Sequence, residues 1–217
     1  MYHIIFATGN AGKMKEIRQI LADPDLCIHP MKEFGLDPEI DENGTSFAEN
    51  AAIKANTVAE AYRKMYRSAD EASAEQLPHP ETVVVMADDS GLEIDYLNGE
   101  PGIYSARYMG EDTSYHIKNA NLIERLAGVP DAERTARFVC AIAAEMPDGT
   151  RLQAYGTIEG QIGYEERGEN GFGYDPIFYL PDRGCTTAEL APDEKDAISH
   201  RGKALRRIKD LLHEKSC

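Results

Sequence analysis

The chain has 217 residues, 42% hydrophobic and 28% charged, an ordinary globular balance. Its 18 Gly and 11 Pro fall well short of the ~25–30% that marks low-complexity chains, so disorder is excluded as the main description. With 23 Lys and Arg against 38 Asp and Glu the net charge is −15, and a surface that repels phosphate backbones argues against a general nucleic-acid binder.

Anionic small molecules remain compatible with this charge, because a few lysines and arginines or a bound cation reverse the field within one cleft. The length allows one large domain or two small lobes. In chain order, His3 to Ala7 is a short apolar run, too short for a signal-peptide core and with no basic segment before it. It ends in Thr8-Gly9-Asn10-Ala11-Gly12-Lys13, and Met14, Ile17, Ile20 and Leu21 then recur at helical spacing, predicting strand, glycine turn and helix. Ser46-Phe-Ala-Glu49 has the form of a capping box, and the alanine-rich stretch after it predicts a long helix to about Met65. Residues 67–81 are polar, carry Pro78 and Pro80, and read as an exposed connection.

Val83 to Ala87 is β-branched and apolar enough for a buried strand that delivers Asp88, Asp89, Ser90 and Gly91 at its C-terminal end. Thr113 is positioned to cap a helix with Ile117, Leu122, Ile123 and Leu126 on one side, closed by Gly128 and Pro130. Arg137 to Glu145 and Arg151 to Ile162 predict two strands joined by a hairpin turn through Pro147-Asp-Gly149, and Ile177-Phe-Tyr179 a further strand. After Ser199, Ala204, Leu205, Ile208, Leu211 and Leu212 form one apolar helical stripe. No internal repeat appears. This order predicts a mixed α/β sheet flanked by helices. The longest apolar runs are far below a membrane span. The dispersed Cys27, Cys140, Cys185 and Cys217 read as structural thiols of a cytoplasmic protein.

Four constellations bear chemistry. The turn from Thr8 to Lys13 lies where an open α/β sheet places an anion, and it equally suits a tight strand-to-helix connection; the spacing of Gly9 and Gly12 excludes a Walker A loop. Asp88 and Asp89 are carboxylates of the kind Mg²⁺ uses when a substrate brings phosphates, although adjacent side chains on a continuing strand point to opposite faces. Glu42 is a further acid that could serve as metal ligand or as a loop residue. Asn170-Gly-Phe-Gly-Tyr-Asp-Pro176 brings Phe172 and Tyr174 onto backbone able to approach a flat ligand, or else into the core, and Asp175 can accept hydrogen bonds. Lys195, His200 and Arg201 surround a helix start, where cations oppose the macrodipole unless an anionic or carbonyl partner is present. Lys54 lies eight residues after Ser46 on the long helix.

Taken together, Thr8 to Lys13, Phe47-Ala-Glu-Asn50 with Lys54, Ala87-Asp-Asp-Ser-Gly91, Pro101-Gly-Ile-Tyr-Ser-Ala-Arg107, Gly171 to Pro176 and Ala197-Ile-Ser-His-Arg-Gly202 resemble, in content and order, the ITPase family of purine nucleoside triphosphate pyrophosphatases (XTP/dITP diphosphatases). The resemblance runs from about residue 3 to residue 212. It implies an elongated α/β fold of the ITPase (Maf/Ham) type, a single domain over residues 1–217 whose two lobes bound a central cleft. It also implies a homodimer and Mg²⁺-dependent hydrolysis of ITP, dITP or XTP to the monophosphate and pyrophosphate, with no nucleic-acid or membrane partner.

Carried over by motif, Thr8, Gly9, Asn10, Ala11, Gly12 and Lys13 would hold the triphosphate. Asp89 would be the catalytic acceptor and, with Glu42, a metal ligand; Lys13 and Lys54 would assist catalysis, and Ser90 would touch substrate. Phe172, Gly173, Tyr174, Asp175, Lys195, His200 and Arg201 would hold the nucleotide. The segment from about Tyr62 to Thr82, between the long helix and the Asp-Asp strand, is longer than the resemblance leads one to expect. The alternatives are a Maf-type pyrophosphatase of pyrimidine or modified nucleotides, a nucleotide sensor without chemistry, and an acidic interaction protein.

Overall fold

In the computed structural model, which describes residues 2–216, the first apolar run is strand β1 (Tyr2–Phe6), with Ile4, Ile5 and Phe6 fully buried. Burial on both faces of a strand fits its place between two parallel neighbours. β2 (Leu26–Pro30) pairs on one side with Ile5 opposite His29 and Phe6 opposite Pro30. β3 (Val83–Ile94) pairs on the other with Ile5 opposite Val85. The sheet continues through β4 (Thr135–Glu145) and β5 (Arg151–Ile162) to β6 (Phe178–Leu180) and β7 (Cys185–Thr186), in the order β2-β1-β3-β4-β5-β6-β7. The helices are α1 (Ala11–Ile20), α2 (Phe47–Ser68), α3 (Glu71–Ala74), α4 (Tyr115–Arg125), α5 (Pro192–Ile198) and α6 (His200–Ser216). This is the mixed α/β sheet with flanking helices that the element order predicts.

The chain divides into two compact units, one of residues up to Asp89, 141–155 and from Ala204 on, the other of residues 90–140 and 156–203. In the first, Ile4, Phe6, Ile17, Leu21, Ala55, Val58, Val84, Met86, Leu205 and Ile208 are fully buried. Each large aliphatic side chain so buried contributes about 1.5–3 kcal/mol before conformational entropy is set against it. In the second, Leu92, Ile94, Leu122, Leu126, Phe138, Ile177 and Phe178 belong to one hydrophobic cluster.

Several sequence expectations need correction. β3 does not end at the paired aspartates; it has β4 as its next neighbour and runs on to Ile94. Asp88 and Asp89 are therefore mid-strand residues on opposite faces. The cap of α4 is Ser114, whose hydroxyl accepts from the Ile117 N–H, and not Thr113. Ile117 is 52% exposed while Leu122 and Leu126 are fully buried, because five residues turn a helix about 140° past one revolution. The long helix continues to Ser68, and the polar connection is not a plain loop. Asp70 caps α3 through the Ser73 N–H at 2.8 Å, and the Tyr62 hydroxyl donates to the Pro78 carbonyl at 2.6 Å. Ile177 lies in a short 3₁₀ turn, so the strand begins at Phe178. β2, β7 and α5 were not anticipated. Cys27, Cys140 and Cys185 take part in no disulfide among the described residues, and Cys217 lies outside the described residues.

Candidate active site

In the first unit the strand β1 delivers its C-terminal end to the Thr8–Lys13 turn. The Ala7 N–H donates to the Met86 carbonyl on β3 at 2.7 Å, which fixes where the turn leaves the sheet. Asn10 caps α1, its Oδ1 accepting from the Lys13 N–H at 3.0 Å, and its own N–H donates to the Thr8 hydroxyl at 3.2 Å. The turn is thus organised by its own side chains, with the first-turn N–H groups of α1 at the end of the helix that favours anions. Lys13 extends its ammonium to the Asp88 carboxylate at 2.9 Å, and Asp88 is buried. Asp88 therefore serves Lys13.

Asp89 faces α2. Its Oδ1 lies 2.9 Å from the Lys54 ammonium, which also meets Glu42 Oε2 at 3.0 Å. Its Oδ2 accepts from the Asn50 amide at 3.3 Å, and the other end of that buried amide accepts from the Gly44 N–H at 2.9 Å. Asn50 thus ties the Glu42 loop and the β3 carboxylate to one helix. Gly44 is required by this close approach, since a Cβ there would sit 2.7 Å from Asn50 Oδ1 and 2.8 Å from Glu49 Cβ. Ser46 caps α2 through the Glu49 N–H, while the Glu49 carboxylate reaches the Thr45 N–H at 2.7 Å.

Burial pushes the Asp89 carboxyl above its ordinary pKa, and Lys54 and Asn50 only partly pull it back. Burial works against the Lys54 ammonium too, yet the charges of Asp89, Asp88 and Glu42 outweigh it and raise its pKa. Glu42 and Asp89 thus aim two carboxylates at one cationic centre. That donor chemistry fits an ion such as Mg²⁺, which takes one or two protein carboxylates and completes its shell with phosphate and water. Among the described residues no group of three or more His, Cys, Asp and Glu is arranged around a metal position, so such an ion would rely on those further oxygens.

In the second unit Ser90, the next residue of β3, accepts from Arg201 Nη2 at 3.2 Å. The Arg201 guanidinium and the Lys195 ammonium lie 5.4 and 5.2 Å from the centroid of the Phe172 ring. Phe172 is 39% exposed, unlike Tyr174, which is buried with its hydroxyl on the Ser105 carbonyl at 2.7 Å. Of the two aromatics one is a core plug and the other is presented. Asp175 is turned into its own loop, where its carboxylate accepts from the Phe172 N–H at 2.8 Å, the Thr187 hydroxyl at 2.8 Å and the Lys195 ammonium at 2.6 Å. It organises the aromatic loop from within. Gly171, at φ +76°, leaves no room for a side chain, because a Cβ there would overlap the Asp175 carboxylate. Gly173 has φ +70°. His200 stacks on Phe138 with centroids 4.9 Å apart.

The structure therefore gathers Thr8 to Lys13, Glu42, Lys54 and Asp89 in one unit, and Ser90, Phe172, Asp175, Lys195 and Arg201 in the other. Asn50 and Gly44 join the site without a role expected from residue type, although Asn50 lies in the motif Phe47-Ala-Glu-Asn50.

Residues 4–211 match the Ham1 family. The chain is 46% identical to a dITP/XTP pyrophosphatase of Clostridium perfringens, with 98% of each chain covered. It is 44% identical to one of Exiguobacterium sibiricum, with 96% of each covered. Among solved structures, a HAM1 protein from Coxiella burnetii superposes with a TM-score of 0.81 at 39% identity, covering 99% of this chain and 100% of that one.

Proposed function

The chain belongs to the Ham1 family, and from that premise we propose that it hydrolyses dITP, XTP and ITP to the nucleoside monophosphate and pyrophosphate with Mg²⁺, removing such purines from the nucleotide pool. The observation that carries this reading is the convergence of Glu42 and Asp89 on Lys54, in the same unit as the Thr8–Lys13 turn. The same reading carries a cytoplasmic homodimer. No described helix is long and apolar enough to cross a membrane.

A bound triphosphate brings about four negative charges, which the N–H groups of the first turn of α1 and the Lys13 ammonium are suited to meet. Mg²⁺, when held by Glu42 and Asp89, supplies further neutralisation of charge on the phosphates. Asp89 accepts the proton of the attacking water. The water oxygen bonds to the α-phosphorus, the bond from that phosphorus to the α–β bridging oxygen breaks, and pyrophosphate leaves with the bridging oxygen. Lys54 holds Asp89 in position through its 2.9 Å contact.

Phe172 offers an aromatic face for the base, and Arg201 and His200 supply donors for an oxygen at position 6 of the purine. Adenine presents an amino donor there, and a donor left facing a donor can discriminate by ~10⁴ or more.

The test is pyrophosphate release from ITP, dITP, XTP, GTP, ATP and dTTP, with and without Mg²⁺. Mg²⁺-dependent turnover concentrated on ITP, dITP and XTP and lost in Asp89→Asn is the expected result. Turnover of dTTP at the rate of ITP, or an active Asp89→Asn protein, would overturn the reading. Hydrolysis in oxygen-18 water should label the monophosphate; label in pyrophosphate would move the attack to the β-phosphorus.

A further inference from the structure

The parallel pairing of β1 and β2 sets Phe6 opposite Pro30, so both strands release their chains at the same end of the sheet. β1 leads into the Thr8–Lys13 turn. β2 leads into a tight 3₁₀ turn over Met31–Phe34, anchored by buried Met31 and closed by the N–H groups of Gly35 and Leu36 on the carbonyls of Lys32 and Met31. Gly35 adopts φ +66° to end it. This geometry carries Lys32 back over the neighbouring turn. Its Cε and Nζ both lie 3.6 Å from the point where a Cβ on Gly9 would stand.

Charge singles this lysine out. Lys13 is paired with Asp88, and Lys54 with Asp89 and Glu42, so three carboxylates face two ammonium groups around the turn. Lys32 is exposed, and among the described residues its ammonium has no carboxylate partner. Its ammonium is thus a positive charge beside this turn that no carboxylate compensates, and unlike Lys15 of α1, which is also exposed, it lies against Gly9; an exposed lysine carries little desolvation cost when it meets an anion.

We propose that Lys32 is a further substrate contact, binding the pyrophosphate part of the triphosphate at the Gly9 side of the turn. The proposal rests on the reading above that the Thr8–Lys13 turn holds the triphosphate. The choice of the pyrophosphate part follows from strand order. β2 and β3 lie on opposite sides of β1, about 10 Å apart at two strand spacings. With Asp89 on β3 acting at the α-phosphorus, a side chain rising beyond the end of β2 meets the far end of the substrate. Lys32 thereby holds the leaving group and not the reacting phosphorus.

The experiment compares Lys32→Met, Lys32→Arg and Lys64→Met with the wild type, measuring kcat and KM for ITP and inhibition by inorganic pyrophosphate. Lys64 is an exposed lysine on the same helix as Lys54, about 15 Å further along it, and controls for loss of one positive charge. Lys32→Met should raise KM and the pyrophosphate inhibition constant together by about three- to tenfold, with kcat changed by less than about twofold. Lys32→Arg should restore both, and Lys64→Met should leave both unchanged. An active wild type inhibited by pyrophosphate, beside a Lys32→Met protein with the same two constants, overturns the proposal alone. Equal shifts in Lys64→Met also overturn it, by making the effect one of net charge. A wild type that neither hydrolyses ITP nor binds pyrophosphate overturns the active-site reading and this proposal with it.

Discussion

Replacing Lys54 with Met is the perturbation that most directly probes the carboxylate pair. Lys54 holds Asp89 at 2.9 Å and Glu42 at 3.0 Å, with side-chain exposures of 12%, 13% and 32% for Lys54, Asp89 and Glu42. Removing it leaves two carboxylates facing one another, with the Asn50 amide at 3.3 Å still donating to Asp89. Breaking a fully buried ion pair costs about 3–5 kcal/mol. Water reaching Glu42 screens part of this, so the metal-free variant should lose about 2–3 kcal/mol, with m unchanged in urea unfolding. A divalent cation binds more tightly once the competing ammonium is gone, and binding to the native state stabilises by about 2.7 kcal/mol at a hundredfold excess over Kd. Mg²⁺ should therefore raise the unfolding midpoint of Lys54→Met more than that of the wild type. Asp89 already has a raised pKa. A carboxyl raised on folding contributes stability when protonated and loses it as pH rises, so the deficit of the variant should grow from pH 4 to pH 7. Urea midpoints in chelator and in saturating Mg²⁺ measure all three effects. Equal midpoints for the two proteins in chelator, or an equal Mg²⁺ shift in both, would refute the assignment of Lys54 as counter-ion of this pair.

Gly44→Ala places a Cβ 2.7 Å from Asn50 Oδ1 and 2.8 Å from Glu49 Cβ. It should destabilise by about 1–3 kcal/mol in chemical denaturation and depress kcat through the displaced Asn50–Asp89 contact. Asp23 accepts from the Asp25 N–H at 2.9 Å and meets Lys209 and His213 of α6 at 3.0 and 3.2 Å, and these contacts, led by the Asp25 bond, hold its carboxyl down at about 2. A depressed carboxyl contributes stability above its ordinary pKa and loses it as pH falls through the folded value. The stability difference between wild type and Asp23→Asn should accordingly be constant above about pH 5 and vanish toward pH 2 in a series of urea melts. Arg201→Ala should lose most of the preference for ITP over ATP in kcat/KM; an unchanged ratio would remove Arg201 from base recognition.

The parts of the site that could be read from residue types are those where chemistry and local backbone coincide. The glycines of the first turn and the capping signal at Ser46 act within a few residues of themselves. Their hydrogen bonds are decided by sequence spacing. The exposed Phe172 and the buried Tyr174 were not separable in this way, since both are aromatic residues beside positive-φ glycines and only their neighbours differ. Asp175 likewise looked available for a ligand, because nothing local announces that Thr187 and Lys195 turn back to consume its oxygens. The short strands β2 and β7 and the helix α5 escaped because they have too few residues for a period to show.

The longer strands and helices, the anion-suited turn and the acidic and basic residue types were determined by the chain alone, through periodicity, capping and composition. The tertiary structure decided which charge meets which. Continuing β3 past its two aspartates put Asp88 on one face and Asp89 on the other, which gave the first to Lys13 and the second to Lys54. Parallel pairing of β1 with β2 brought Lys32 beside Gly9. These partners stand 75, 35 and 23 positions apart in the chain, and no local pattern encodes a distance that only the register of a sheet and the packing of helices on it can close.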